Sequence, residues 1–121
     1  MVINPISKTI PGEIHIIAND GNRWVIVWRD DIHPRFGRCI YDKREMWINC
    51  NISDSAQKFI WYHEMYHTGD KAKNELWREI KANVYAGYKR PKGFVIVLFM
   101  TLFSLSRLKM YISKLKFIQR D

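Results

Sequence analysis

Acidic residues are missing from a long stretch of this chain: none occurs between Ile80 and Arg120. Cysteine is scarce as well, with only Cys39 and Cys50. Two thiols cannot form a disulfide framework, and their separation excludes a close thiolate metal clip. Met1-Val2-Ile3-Asn4-Pro5 has no basic region leading into an apolar run, so no signal peptide is expected, and a cytoplasmic, reduced protein is. The longest apolar run, Phe94 to Leu105, has 12 residues including one Thr and one Ser. A bilayer span takes roughly 20 apolar residues, so no transmembrane helix is expected, and the run reads as a core helix. Attachment to a membrane surface is the other reading of that run. Repeats, low-complexity tracts and long linkers are also absent. The 121 residues therefore read as one domain (1–121), able to bury a modest core, with a β-rich part over 1–52 and a helical part over 53–121.

What charge there is lies unevenly. Residues 1–69 balance eight Lys and Arg against eight Asp and Glu, so the net +8 comes from residues 70–121. Such a basic half is either a solvated face or an attractor for an acidic partner, an anionic lipid surface or nucleic acid. Nucleic acid rests on charge alone, because no nucleic-acid motif accompanies it.

The N-terminal part reads as β. Glu13 to Ala18 precedes the turn signal Asn19-Asp20-Gly21-Asn22, and Trp24 to Trp28 follows. A second hairpin is expected from Phe36–Tyr41 and Met46–Asn51 around Asp42 to Glu45, with Tyr41 opposite Met46 and no disulfide between Cys39 and Cys50. From Ser53 the signal is helical. Ser53 or Asp54 caps a helix that runs through Thr68 and stops at Gly69. Asn74 caps the next, over about Glu75 to Tyr88. Arg90-Pro91-Lys92-Gly93 then breaks the chain before the apolar run, and Ser106 is a cap for a last amphipathic helix carrying Leu108, Tyr111, Ile112 and Leu115. The fold class expected is α+β, a small antiparallel sheet followed by helices.

His63-Glu64-Met65-Tyr66-His67 carries the chemistry. Residues i and i+4 share a helix face, so both imidazoles can reach one cation. Glu64, beside that face, is placed to accept a proton from water held there. The surrounding helix is apolar almost all round and reads as buried, and burying three ionisable groups is costly unless an ion compensates them. This is the HExxH spacing of zinc hydrolases.

Two histidines leave such a site short of a third protein ligand. Asp70, Glu75 and Glu79 follow downstream, and Lys73 stands where a metzincin would place its next ligand. If the two helices are antiparallel, Glu79 falls level with His63, on a face with Ala82, Asn83 and Ala86 that permits close helix approach. Glu79 fits best. Glu75 falls near the turn, and Asp70 would need a tight reversal. Asn83, one turn past Glu79, is positioned to hold the other ring nitrogen of His63.

His63-Glu64-x-x-His67 followed by Glu79-x-x-Ala82-Asn83 resembles the gluzincin metallopeptidases, most of all the small ImmA/IrrE-type proteins, including compact relatives in phages and mobile elements. The resemblance covers about Asn49 to Tyr88. It implies zincin-type helices, Zn2+ on His63, His67 and Glu79, Glu64 as general base, and a protein or peptide substrate. It also implies a cleft-lining strand at Met46–Asn51, whose edge could pair with the substrate. Tyr62, Tyr66, Tyr85, Tyr88 and His33 are available to stabilise an oxyanion. The alternative is a non-catalytic, zinc-containing binding module whose basic C-terminal half contacts nucleic acid or a partner protein.

Overall fold

The computed structural model describes residues 4–70 and 73–120. Four strands precede four helices: β1 (Gly12–Ile17), β2 (Arg23–Arg29), β3 (Gly37–Ile40), β4 (Glu45–Asn49), α1 (Asp54–Gly69), α2 (Glu75–Lys89), α3 (Pro91–Leu102) and α4 (Leu105–Arg120). The expected α+β order holds, and the boundary falls between Asn49 and Asp54.

The sheet departs from expectation in one respect. Both hairpins are antiparallel, but β2 and β4 pair in parallel, giving the order β1-β2-β4-β3 and a mixed sheet. β4 is therefore interior, and the edge next to the helices is β3, not Met46–Asn51. The second hairpin is also shifted by two residues: Cys39, not Tyr41, opposes Met46, because the loop takes up Tyr41 to Arg44. A two-residue shift leaves every side chain on its expected face. Both cysteines are free.

Alternation along the strands decides what is buried. Trp24, Ile26 and Trp28 of β2 and Met46 and Ile48 of β4 turn to one side and are almost fully buried. On that side α1 covers the sheet with Phe59, Ile60 and Trp61, and the Trp61 ring lies 6.3 Å from Trp28. Gln57, also buried, accepts from Trp28 Nε1 and from the Lys8 backbone and donates to the carbonyls of Lys8 and Ile52, tying the N-terminal segment to α1. On the opposite side of the sheet, Trp47 carries the guanidinium of Arg29 at 4.5 Å.

The caps explain the helix boundaries. Ser53 accepts from Ala56 N, and Asn74 accepts from Trp77 N. The break at residues 90–93 is shorter than expected. Only Arg90 separates α2 from α3, since Pro91 takes the first-turn position where its missing N–H costs nothing. Gly93 lies inside α3, where a Cβ would sit 2.2 Å from the Ser55 carbonyl oxygen, so α3 crosses the start of α1 backbone to backbone. Ser104, not Ser106, supplies the side-chain oxygen at the start of α4, accepting from Arg107 N.

The apolar run is not a core helix. Ile96, Val97 and Met100 pack on the core, while Val95, Leu98, Phe99 and Leu102 are 45–55% exposed. No single helix among the described residues is long and apolar enough to cross a membrane. α4 reaches back over the segment before β3. There Arg107 donates to the Pro34 carbonyl and lies 4.5 Å over Phe36, and Tyr111 stacks on the same ring.

Candidate metal centre

α1 and α2 pack side by side, and the small residues foreseen at their seam, Ala82 and Ala86, have no exposed surface. Their closeness lets Glu79 reach across to α1. His63 Nε2 and His67 Nε2 are 3.2 Å apart; Glu79 Oε2 is 3.3 Å from the first and Glu79 Oε1 3.3 Å from the second. His67 is 6% exposed, and its Nδ1 is buried without a hydrogen-bond partner among the described residues.

Two imidazole nitrogens and a carboxylate gathered this closely are a donor set suited to a divalent cation, which would take a lone pair from each of the three residues. Ligands about 2.0–2.1 Å from a tetrahedral ion lie about 3.3–3.4 Å from one another, close to the 3.2 Å between the two Nε2 atoms and the 3.3 Å from each of them to its own oxygen of the Glu79 carboxylate. The His63, His67 and Glu79 group can hold a metal ion.

Glu64 sits at the rim of this group, 7% exposed, with its carboxylate 3.8 Å from His63 Nε2. The other two candidates for third ligand lie elsewhere. Asp70 pairs with Lys81 at 3.0 Å, and Glu75 is exposed at the cleft wall. Asn83 also lines the cleft, from an exposed position, and its described contacts do not include the His63 ring.

The group opens into a cleft of about 550 Å³ walled by α1, α2, α3, α4 and the segment Arg35–Cys39. Gly37 brings that wall close. A Cβ there would lie 2.6 Å from Ile60 Cγ2 and 3.3 Å from Glu64 Cγ, so only glycine lets β3 lie flat on α1 beside the site. Phe36 O accepts from Asn49 N, which makes Arg38 and Ile40 the next positions bonded to β4. The backbone groups of Gly37 and Cys39 consequently face the open side of β3.

The residues expected to stabilise an oxyanion are elsewhere. Tyr62 and Tyr66 pack on Tyr85, Tyr88 is 83% exposed, and neither these nor His33 lines the cleft. Tyr41 and Tyr111 line it instead, with Arg78, which donates to the Tyr41 hydroxyl. Burial, then the neighbouring Cys39, pushes the Tyr41 hydroxyl up to about 12. Burial foremost, then the carboxylates of Glu64 and Glu79, pushes Tyr111 up as well. Both keep their protons at neutral pH, and Tyr41 donates its own to the His67 carbonyl at 3.4 Å. The Cys39 thiol points at the Glu64 carbonyl at 3.2 Å, and burial raises its pKa far above the ordinary thiol range, so it is inert. In the sequence, Tyr111 was visible only as one apolar-face residue of the last helix, and Tyr41 only as the end of a strand.

No family model, curated protein or solved structure matches this chain.

Proposed function

We propose that this protein is a zinc-dependent metallopeptidase of gluzincin type. The observation that carries the reading is the closed triangle of His63, His67 and Glu79 with a buried Glu64 at its rim, facing a cleft with an unpaired strand edge. Two imidazoles and one carboxylate suit zinc better than magnesium or calcium, which favour oxygen ligands throughout. His63, His67 and Glu79 would hold the ion. When bound, zinc supplies Lewis acidity that polarises a peptide carbonyl and acidifies water.

The remaining work falls to side chains of this chain. Glu64 takes the proton from the attacking water and returns it to the leaving amine. Tyr111 presents a hydroxyl donor to the developing oxyanion. The open edge of β3, at Gly37 and Cys39, holds an extended substrate by backbone pairing. A non-catalytic binding module would keep the ion but has no use for a buried carboxylate at the cleft floor.

The test combines metal analysis of the purified protein with hydrolysis of a mixed peptide library. One equivalent of zinc is expected in both wild type and Glu64→Gln, with cleavage in the wild type alone. Absence of zinc from the wild type after reconstitution would remove the reading.

A further inference from the structure

We infer that α3 seats this protein on an anionic phospholipid surface. Val95, Leu98, Phe99 and Leu102 recur at the i, i+3, i+4, i+7 spacing of one helix face, and all are 45–55% exposed. Phe103 continues the patch at 82% exposure, its ring stacked on Phe99. Lys92 heads the same face, one turn before Val95. Lys109 is exposed on α4, the next helix along. At 12 residues α3 is about 18 Å long, too short to cross a bilayer and suited to lying in the headgroup region.

Charge chooses the occupant. From residue 81 to residue 119 the chain has no acid, so α3 and α4 contribute cations to this face and no carboxylate of their own. A second copy docked face to face would set the cations of this face against a surface of the same sign. A leaflet rich in anionic headgroups offers the uniform opposite charge. α2 also exposes an apolar stripe of Trp77, Ile80, Val84 and Tyr88, but its cations are engaged within the fold: Lys81 with Asp70, Arg78 with Tyr41, and Lys89 at 5.9 Å over the Tyr85 ring. Apolar surface and uncommitted positive charge therefore coincide on α3. Leu98 belongs both to this face and to the cleft lining, so docking would set the cleft mouth beside the headgroups.

Flotation of the full chain with vesicles tests this. Binding is expected to phosphatidylcholine mixed with phosphatidylglycerol, not to phosphatidylcholine alone, and added salt should release it. Phe99→Ser/Leu102→Ser and Lys92→Glu/Lys109→Glu should each lower the partition constant at least about tenfold, with unchanged melting by circular dichroism. Glu64→Gln should bind like the wild type, which keeps this result separate from the peptidase reading. Equal binding to neutral vesicles, or binding that survives both double substitutions, would overturn the inference. So would a dimer in light scattering that Phe99→Ser/Leu102→Ser dissolves, since a second copy would then be the occupant.

Discussion

Glu79 on α2 holds a carboxylate oxygen 3.3 Å from Nε2 of His67 on α1, bridging two helices through their ends of opposite chemistry. If that contact marks a metal ligand, Glu79→Ala should weaken zinc binding well beyond the ~10–100-fold typical of changes outside a ligand set. Competition with a chromogenic chelator measures it. Unchanged affinity would send the search for a third ligand to Glu75 or Asp70.

Glu64→Gln preserves shape and removes the base. Peptide hydrolysis should collapse, by about 10²–10⁴-fold, while zinc content and melting temperature stay near wild type. A variant that keeps full turnover would place the base elsewhere.

Tyr111→Phe keeps the stacking on Phe36 and deletes one hydroxyl. A fall in kcat on the order of 10²–10³ with little change in KM is expected if this hydroxyl meets the oxyanion. Should only KM move, Tyr111 is a wall of the cleft and nothing more.

An ion held by His63, His67 and Glu79 would tie α1 to α2, and a ligand that binds only the folded state stabilises it. Chelation should lower the melting temperature by several degrees, and added zinc should restore it. Identical melting curves with and without chelator would argue against a resident metal.

Two helical glycines provide a paired stability test. Gly93→Ala drives a methyl to within 2.2 Å of the Ser55 carbonyl oxygen and should cost about 1–3 kcal/mol or more in urea unfolding. Gly87→Ala meets only the Phe94 ring at 3.6 Å, so the ordinary helix preference for alanine should show as a gain of about 0.5–1 kcal/mol. Equal losses at both positions would mean that the α1–α3 crossing does not set the cost.

The parts of this fold that were legible are those written locally. Ser53 and Asn74 act within one turn of themselves, so the starts of α1 and α2 follow from sequence; α1 ends at Gly69 as expected, but Asp70 is its cap and the glycine keeps helical backbone. Glu79 was legible for a related reason: once two helices are joined by a short link, antiparallel packing over Ala82 and Ala86 sets the level of every residue. The parallel pairing of β2 with β4 was not, because it is decided by which hairpin faces α1 buries, a matter between distant segments. Tyr41 and Tyr111 were hidden for the same reason. One comes from a turn and the other from a helix docked through Arg107 and Phe36, and neither docking leaves a pattern nearby in the chain. The apolar run misled because composition reports how much a helix could bury, and only the neighbouring helices decide how much it does.

The seam between β2 and β4 also bears on how the protein assembles. Each hairpin can close by itself, whereas the seam joins residues 25–29 to 45–49 and gains its cover only when α1 arrives. Such distant pairing forms late. Early in refolding, the two imidazoles would share a helix that has no sheet beneath it, and pulse-labelled amides bonded between β1 and β2 should gain protection before those bonded between β2 and β4. On the proposed reading, competence to capture an ion tightly, and any hydrolysis that depends on it, would arrive only with the last folding steps.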